Sequence, residues 1–561
     1  MFPSTLDIEI QSTETIFPSI PLTNPTATPL SILDNTSANF ARCAAIWYYP
    51  PPPSPTNLTR SHLTTSLSQT LNAYRPWCGR LSYTPTSNLT NYGPQSTRYQ
   101  RIHVTYNTPK DIGVPLTLAT CPHSLETFLP SLATRQTKEK AWNGSQLPSS
   151  TLLPSTKLSI SASDPDAPNL VIQLTTFSCG SFAIGISITH CLSDAISLSQ
   201  FANDWARTSR SLLSNPQSPP PELNPVFDPQ RLDAYAAGSI DSPPDLSIQA
   251  KARDLPAHRY DWYTSVSNQP WPSPKPSDFD ATLKKLDVEL DLSPSIPIPW
   301  EQWDTQASVS HRLLHFSKEE ILSIYENAIA SSNPQSRGDE EGKGKEVGRQ
   351  GKISKHDALL AHLWSLIISA RQLPANTTSY LDLTFGVRAR LSHPLPDSFL
   401  GSPICHVAIP LPSPSPSNSS KKKEVEGEEA SVLATRIREY LGKFGGKEIS
   451  WILHDRASEI APQRLWGACL GREHVLLTTW VRAGVYDVVF CDGDEGKPLW
   501  VEAVMPPLDG LVEIMEAPPS PSINNTRKNG SWIDDGVDVT VFLEAEAMNM
   551  FLADERLWGG R

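Results

Sequence analysis

The sequence predicts an α/β (α+β) protein in which strands and helices alternate along the chain. The first observation is residues 169–206, where the pattern indicates two strands, a tight turn at Gly180 and Ser181, and then a helix. The second is that residues 355–371 have apolar side chains at helical spacing, while residues 381–390 have strand spacing. Because the connections between such candidates are long, we expect mixed sheets flanked by helices.

The composition indicates a large folded protein and argues against a nucleic-acid partner. Hydrophobic residues make up 39% and charged residues 19% of the 561 residues, which is typical of a chain with a substantial core. The 53 prolines are roughly twice the usual share of about 5%, and they predict long surface loops. A formal net charge of -12 is unfavourable for nucleic-acid binding, because contact with phosphates requires a basic face.

Cysteine placement and hydropathy predict a cytoplasmic protein without a metal site or a membrane contact. The eight cysteines are scattered, with no CxxC pair and no Cys/His cluster at zinc spacing, so we interpret them as reduced thiols. The first residues have neither a basic start nor an apolar core, so no signal peptide is predicted. The longest apolar helical window, residues 358–370, is interrupted by His362 and is too short to span a bilayer.

Four further segments of the N-terminal half have patterns that predict structure. Residues 43–49 are an extended apolar run, and residues 101–105 are a candidate strand. Residues 60–73 have leucines at helical spacing, and Pro76 shortly after them predicts a sharp end to this helix. Residues 124–132 predict a short helix.

His190 follows the second strand of residues 169–206. Apolar side chains alternate with small or polar ones along this strand, as in a half-buried strand; the apolar ones are Phe182, Ile184, Ile186 and Ile188. His190 is in phase with them, so an ionisable ring stands at the end of an apolar row. Ser193 or Asp194 is a suitable N-cap for the helix that follows. This placement suggests a catalytic base at the mouth of a buried channel.

Composition divides the chain into two domains joined by a proline-rich segment. We expect an N-terminal domain over residues 1–215, a crossover over residues 216–300 and a C-terminal domain over residues 301–561. Within the C-terminal domain, the charged segment near residues 333–352 and the low-complexity segment near residues 411–430 predict disordered surface insertions.

The C-terminal half contains a strong helix candidate followed by a strand. Ser354 is a suitable cap for the helix over residues 355–371. In the strand over residues 381–390, an apolar face alternates with a polar face that carries Arg388 and Arg390. Further candidates are a helix over residues 431–444, a hairpin over residues 473–490 that turns near residues 482–484, and a last strand over residues 537–543 before a C-terminal helix.

Six motifs in chain order carry a resemblance to a known family. They are PLSILD from Pro29, GRL from Gly79, HCLSD from His190 with SLSQFANDWA after it, SKHDALLAHLW from Ser354, DLTFGVRARLSHPLPDSFLG from Asp382, and TTWVRAGVYDVVFCDGDEGKP from Thr478. This ordered set resembles the BAHD family of acyl-CoA-dependent acyltransferases of plants and fungi. The resemblance implies two chloramphenicol-acetyltransferase-like domains, each a mixed sheet flanked by helices, with a channel at their interface.

The resemblance also implies roles for the residues around the HxxxD motif. Acyl transfer from a thioester needs a base for the acceptor's proton and donors for the tetrahedral oxyanion. In the family the histidine is this base, which assigns the role to His190. The family's aspartate points away from the histidine and pairs with an arginine, which here is Arg388 or Arg390. For Asp194 we favour Arg388 as the partner.

Two further groups of residues take their expected roles from the resemblance. Thr478, Thr479 and Trp480 occupy the positions of hydroxyl and indole donors, so they are candidates for oxyanion or acceptor contacts, with ordinary sheet positions as the alternative. Asp492 belongs to the last motif, which is degenerate in this chain. One alignment keeps Asp492 as the motif's aspartate, and another places residues 489–491 there and leaves a short insertion. Since the family uses this motif mainly to hold structure, we expect a structural role for Asp492.

The chain departs from the family's motifs at two other positions, and it lacks the signs of a nucleophilic cysteine or serine. Ala195 stands where the family usually has glycine, and Ser402 stands where asparagine is common. Cys191 is not expected to form a nucleophilic pair with His190, because neighbours on a strand point to opposite faces. The sequence has no GxSxG elbow, which argues against an ordinary serine hydrolase.

These observations predict a monomeric O- (or N-) acyltransferase. It would move an acyl group, other than an aminoacyl group, from acyl-CoA to a hydroxyl or amine of a small-molecule acceptor, with no permanent cofactor and no metal. The proline- and serine-rich insertions favour a fungal protein of secondary metabolism. One alternative is a catalytically silent paralogue that binds a small molecule or a protein. The other is the chemistry of condensation domains, which usually have a second histidine where this chain has Thr189.

Overall fold

The molecule is built from β-strands and α-helices. This computed structural model describes residues 7–54, 58–84, 93–156, 164, 166–217, 219–264, 273–285, 296–332, 353–412, 426–491, 493, 496–519 and 531–559, without the side chains of 331–332 and 426–429. The strands are β1 (Glu9–Ile16), β2 (Thr26–Pro29), β3 (Cys43–Tyr49), β4 (Arg80–Tyr83), β5 (Ile102–Tyr106), β6 (Val114–Cys121), β7 (Ala141–Asn143), β8 (Leu170–Phe177), β9 (Phe182–Ile188), β10 (Tyr260–Asp261), β11 (Ile296–Pro297), β12 (Val309–Phe316), β13 (Thr378–Gly386), β14 (Ile404–Pro412), β15 (Leu465–Trp466), β16 (His474–Thr479), β17 (Trp500–Ala503), β18 (Leu511–Glu516) and β19 (Val537–Glu544). The helices are α1 (Ile32–Thr36), α2 (Arg60–Thr70), α3 (Leu132–Thr137), α4 (Ala195–Ser214), α5 (Pro229–Asp233), α6 (Leu246–Arg253), α7 (Phe279–Lys285), α8 (Lys318–Ser332), α9 (Lys355–Arg371), α10 (Glu426–Gly442), α11 (Gly446–Ala457) and α12 (Ala545–Ala553).

Two large mixed sheets form the frame of the molecule. Six strands of the first sheet follow the order β1-β6-β8-β9-β3-β17, and seven strands of the second follow the order β14-β13-β16-β18-β19-β12-β7. The pairs β6–β8, β13–β16 and β16–β18 are parallel, and the other neighbours are antiparallel. The predicted α/β (α+β) class, with two domains built on mixed sheets flanked by helices, is confirmed.

Each large sheet includes one strand from the other half of the chain. Strand β17 lies at the edge of the first sheet, where it pairs antiparallel with β3. Strand β7 lies at the edge of the second sheet, where it pairs antiparallel with β12. The two halves are therefore joined by backbone hydrogen bonds, which fixes the surfaces that face each other between them.

Strand β9, which leads to His190, is buried on both faces rather than on one. Its apolar row packs into a core that includes Trp47 and Trp205. On the opposite face, a Cβ at Gly185 would lie 2.2 Å from the carbonyl oxygen of Leu152, so the chain there approaches as closely as glycine permits. The prediction of a half-buried strand was therefore wrong about the second face, because the segment around Leu152 covers it.

The two helices that carry family motifs begin where their caps predict. Asp194 is the N-cap of α4, and its side chain accepts a hydrogen bond from the backbone N–H of Ser197. Ser354 is the N-cap of α9 and forms a capping box with Asp357. These two caps fix where each helix enters the interior.

The proline-rich crossover contains more regular structure than its composition predicts. It includes α5, α6 and α7, and strands β10 and β11 pair with each other. Strand β10 also pairs with β15, and Asp261 on β10 accepts hydrogen bonds from Arg464 at 3.1 and 2.6 Å. Both side chains are buried, so an ion pair ties the crossover to the C-terminal half.

The predicted hairpin over residues 473–490 is wrong. Strand β16 lies between β13 and β18 and is parallel to both, so no adjacent strand pairs with it through a turn. After Trp480 the chain crosses to the first sheet and forms a 3-10 turn, Val485–Asp487. There the hydroxyl of Tyr49 donates to the carbonyl of Val488 at 2.9 Å. Apolar alternation alone does not distinguish a strand with parallel neighbours from one arm of a hairpin.

Three predicted boundaries are also corrected. The strand over residues 381–390 ends at Gly386, and Arg388–Arg390 form a 3-10 turn. The short helix over residues 124–132 is a 3-10 turn, Leu125–Thr127, followed by α3. Of the insertion near residues 411–430, residues 411–412 complete β14 and residues 426–430 begin α10; its remainder and the segment near residues 333–352 lie outside the described residues.

The thiols and the helices give two further findings. None of the eight cysteines forms a disulfide, and only Cys179 among them is exposed. Within the ranges given above, no helix is long and apolar enough to cross a membrane.

Candidate active site

A cavity of about 640 Å³ is lined by residues that belong to both large sheets. Its lining includes Cys43 and Ala44 of β3 and, from the second sheet, Thr384 and Phe385 of β13. His190 also lines it, just beyond the end of β9. The volume lies within the range of small-molecule pockets, roughly 300–1,000 Å³.

The His190 ring is held at this cavity by contacts with Ser402 and Phe40. His190 begins a 3-10 turn, so its side chain leaves the line of β9. Its Nδ1 lies 3.0 Å from the hydroxyl oxygen of Ser402, and the ring of Phe40 packs against it edge to face at 5.5 Å. Among the described residues no hydrogen bond to Nε2 is found, so this nitrogen is the one available to a ligand.

The protonation of the His190 ring follows from these contacts. The Ser402 hydroxyl can accept a hydrogen bond from Nδ1. We assign the ring hydrogen to Nδ1, which faces this hydroxyl, so Nε2 keeps a lone pair. Burial lowers the pKa of His190 below its ordinary value of 6.5, and the charge of Asp194 offsets part of this effect. A neutral imidazole with a free lone pair is therefore the stable form near neutral pH.

Asp194 is engaged away from His190. Both of its carboxylate oxygens accept hydrogen bonds from the guanidinium of Arg388, the second at 3.0 Å. Arg388 also donates to the carbonyl of Phe399 at 2.8 Å and to the hydroxyl of Ser197 at 3.0 Å. The other candidate, Arg390, instead donates to the carbonyls of Leu441 and Phe444. The arginine beside Asp194 is thus Arg388, reached from a 3-10 turn and not from the strand that the sequence predicts.

Asp34 is a residue whose part in the site the sequence reasoning missed. One of its carboxylate oxygens accepts from the backbone N–H of Ser402 at 2.6 Å, and the other accepts from the N–H and hydroxyl of Ser31. Gly401 has a φ of 126°, and a Cβ there would lie 2.9 Å from Asp34. The opening motif therefore holds the backbone at Ser402, which in turn contacts His190. The signal was available, since Asp34 and Ser402 both lie in motifs that carry the resemblance.

The same loop joins the HxxxD turn to the second half of the chain. The backbone N–H of Asp194 donates to the carbonyl of Gly401 at 2.9 Å, and the hydroxyl of Ser197 donates to the same carbonyl at 3.1 Å. Ser193 and Gly401 form a parallel bridge. Contacts from both halves thus fix the backbone on each side of the His190 ring.

Thr478, Thr479 and Trp480 all line the cavity at the end of β16. The Thr479 hydroxyl accepts from the backbone N–H of Val481 at 3.3 Å and lies 3.5 Å from the carbonyl of Ile514. Trp480 is buried, and no hydrogen bond to the Thr478 hydroxyl is found within the described part of the chain. Thr478 is therefore the hydroxyl best placed to donate to a ligand.

The sequence predicts no chemical role for two further residues, Asp492 and Cys191. Asp492 lies outside the described residues. Cys191 is buried, its sulfur lies 3.7 Å from the Thr189 hydroxyl, and burial raises the pKa of its thiol to about 12. A thiol of that kind is not a nucleophile near neutral pH.

One group among the described residues has the composition of a metal site. The ligating atoms of His258, Asp382 and His474 all lie within 4.8 Å of one another. The carboxylate of Asp382 lies 2.9 Å from Nε2 of His258 and 2.8 Å from Nδ1 of His474, and it accepts from the N–H of Cys469. Nδ1 of His474 and the N–H of Cys469 both contact one carboxylate oxygen at hydrogen-bond distance. The other oxygen lies close to Nε2 of His258 without hydrogen-bond geometry.

The chain is similar along most of its length to known proteins. A model described as the Transferase family matches residues 6–90, 145–258 and 297–557. Acyltransferase AFT15-1 of Alternaria alternata is 27% identical, with 98% of this chain and 97% of that protein covered. Vinorine synthase superposes with a TM-score of 0.56 at 19% identity, covering 97% of this chain and 96% of that one. TRI101 of F. sporotrichioides, complexed with coenzyme A and T-2, gives a TM-score of 0.55 at 14% identity, covering 95% and 98%.

The solved structures share the fold, and the family match includes most strands of both large sheets and the segments that hold His190, Asp194 and Arg388. The chain belongs to the Transferase family, the BAHD acyltransferases.

Proposed function

We propose that this protein transfers an acyl group from acyl-CoA to a hydroxyl or amine of a small-molecule acceptor, with His190 as general base. The observation that supports the proposal most is the His190 ring at the cavity, with Nδ1 beside Ser402 and Nε2 without a protein partner. A related fold was solved with coenzyme A bound, which supports coenzyme A thioesters as donors.

In the proposed reaction, Nε2 of His190 takes the proton of the acceptor hydroxyl while the oxygen attacks the thioester carbonyl. The carbon–oxygen bond forms, and the carbonyl oxygen becomes an oxyanion to which the Thr478 hydroxyl donates. Collapse of this tetrahedral intermediate breaks the carbon–sulfur bond, and the coenzyme A thiolate takes the proton back from the imidazolium. No acyl group is bonded to the protein at any step.

The other predicted residues have supporting roles in this proposal. Asp194 and Arg388 hold the backbone at the cavity, and Asp492 has a structural role in its motif. Thr479 and Trp480 shape the wall beside Thr478. The likeness to a fungal acyltransferase along almost the whole chain supports a fungal protein. We also propose a place in secondary metabolism and action as a cytoplasmic monomer.

The test is acyl transfer by the purified protein. A panel of acyl-CoA donors and alcohol or amine acceptors is followed by thiol release and by mass spectrometry of the product. His190→Ala should lose at least about a hundredfold in kcat and still bind coenzyme A by calorimetry. His393→Ala, which removes an exposed histidine, is the matched control. Wild-type protein that binds coenzyme A but transfers no acyl group would contradict the proposal and favour a silent binding protein.

A further inference from the structure

The cavity beside His190 has a wall of aromatic rings. The ring of Phe40 packs edge to face on His190 at 5.5 Å, on His406 at 5.7 Å and on Trp466 at 5.3 Å. Three more indoles continue this wall from Trp466; they are Trp262 at 4.6 Å from Trp466, Trp300 at 5.8 Å from Trp262, and Trp303 stacked at 5.9 Å on Trp300. All these rings line the cavity. Such a wall favours a flat or ring-containing ligand, because aromatic faces attract one another.

The charged side chains that line the cavity are already engaged by the protein. Arg42 donates to the hydroxyl of Ser187 at 2.9 Å and to three backbone carbonyls. Asp194 is paired with Arg388, and Arg390 donates to carbonyls of the C-terminal half. An ion brought into this cavity would lose its water without gaining a free counter-charge, so the lining favours a neutral ligand.

His406 is the polar exception within the aromatic wall. His406 lies on β14, is 8% exposed, and lines the cavity beside Phe40 and Trp466. Within the described part of the chain, no hydrogen bond to its ring is found. Burial, followed by the charge of Arg456, lowers the pKa of His406 to about 4. The ring is therefore neutral near neutral pH and can both donate and accept one hydrogen bond.

We infer that the cavity selects a neutral aromatic or ring-containing group, and that His406 hydrogen-bonds a hydroxyl or carbonyl on that group rather than the reacting atoms at His190. A buried polar ring without a partner is unfavourable by itself, so a ligand group that pairs with it gains affinity and selectivity. The inference rests on the proposed function for the role of His190. The same chemistry fits the acyl group of the donor or the body of the acceptor.

The experiment measures binding by calorimetry with matched pairs of probes. The donor arm compares 4-coumaroyl-CoA with cinnamoyl-CoA, which differ by one hydroxyl, and includes acetyl-CoA. The acceptor arm compares tyrosol with 2-phenylethanol and includes ethanol, all in the presence of coenzyme A. We expect aromatic probes to bind more tightly than acetyl-CoA or ethanol, and the hydroxylated member of one pair to bind roughly tenfold more tightly than its partner. The arm with this difference identifies the source of the group.

Three variants separate the contact with His406 from a general effect on the cavity. His406→Phe should remove the difference within the pair, and His406→Asn should keep part of it. Trp262→Leu should weaken the binding of aromatic probes by roughly fivefold more than that of acetyl-CoA. If His406→Phe does not fold, the wild-type ratios and His406→Asn decide. Equal binding within both pairs, or a ratio that His406→Phe leaves unchanged, overturns the inference.

Turnover by the wild-type protein, measured beside the same titrations, separates this inference from the proposed function. Aromatic binding with the expected ratio but without any wild-type turnover would contradict the proposed function and support the selectivity. Turnover confined to small aliphatic substrates, without aromatic binding, would support the proposed function and overturn the selectivity.

Discussion

The guanidinium of Arg388 donates to both carboxylate oxygens of Asp194, and the two residues come from opposite halves of the chain. Both side chains are buried, and the backbone N–H of Asp194 is bonded to Gly401, next to Ser402. The ion pair therefore fixes the relative position of the two segments that contact the His190 ring. A carboxylate held in this way orients the loop and is not a proton acceptor for the imidazole.

Breaking this ion pair should destabilise the protein strongly. Asp194→Ala or Arg388→Ala leaves one buried charge without its partner, so we expect a loss of roughly 3 kcal/mol or more in the free energy of unfolding. Arg388→Lys should rescue little, because an ammonium group cannot reproduce the two-point contact. Urea unfolding gives the measurement. The control is Asp534→Asn, which breaks the half-exposed pair with Lys318 and should have only a small effect.

The acid limb of the pH profile should report His190. Burial lowers the pKa of His190 below 6.5, and the protonated ring cannot act as a base. We therefore expect kcat/KM to rise with pH through a midpoint below 6.5 and to stay high from about pH 7 upward. The measurement uses an acceptor that does not titrate in this range. A midpoint well above 7 would indicate that another group limits the rate.

Ser402 should act as a positioning residue for the His190 ring. Ser402→Ala removes the oxygen that lies 3.0 Å from Nδ1, so we expect kcat to fall roughly tenfold while KM for acyl-CoA changes little. The midpoint of the acid limb should also move, because the partner of Nδ1 has changed. Ser402→Asn offers a side-chain amide at this position and should restore part of kcat. A variant that loses activity and stability together, with an unchanged pH profile, would show a structural role only.

The segments that sequence alone predicts well are those with local signals. Asp194 and Ser354 cap α4 and α9 where their patterns indicate. The contact between Asp34 and Ser402 joins residues 368 positions apart, which no local period encodes. Trp262 shows the same limit. Its segment is rich in proline and has no periodicity, so the sequence did not indicate that this residue supplies an indole to the cavity. Local rules thus predict the elements, while the site depends on contacts between distant segments.

The buried carboxylate of Asp34 should give stability a distinct pH dependence. Burial raises the pKa of Asp34 to about 6 from an ordinary value of 3.8, although hydrogen bonds from Ser31 and Ser402 lower it in part. The folded state thus binds a proton more tightly than the unfolded state, so stability from this group is present below about pH 4 and is lost as pH rises to about 6. Asp34→Asn cannot titrate and should show a flatter dependence over this window. Equal slopes for both proteins would contradict the assignment.

The hydrogen-bonded group at Asp382 should be essential for stability and independent of metal. Burial would raise the pKa of Asp382, yet the close contacts with His258 and His474 hold it below its ordinary value, so the carboxylate is ionised near neutral pH. Asp382→Asn replaces one acceptor oxygen by a donor and leaves an imidazole unsatisfied, so we expect a loss of roughly 3 kcal/mol in the free energy of unfolding. Asp397→Asn, which changes an exposed carboxylate, is the matched control.

Because the nitrogen–oxygen distances are those of hydrogen bonds, a chelator should leave the melting temperature unchanged, and elemental analysis should find no stoichiometric metal. A lower melting temperature after chelation, absent in Asp382→Asn, would show instead that an ion links the three side chains.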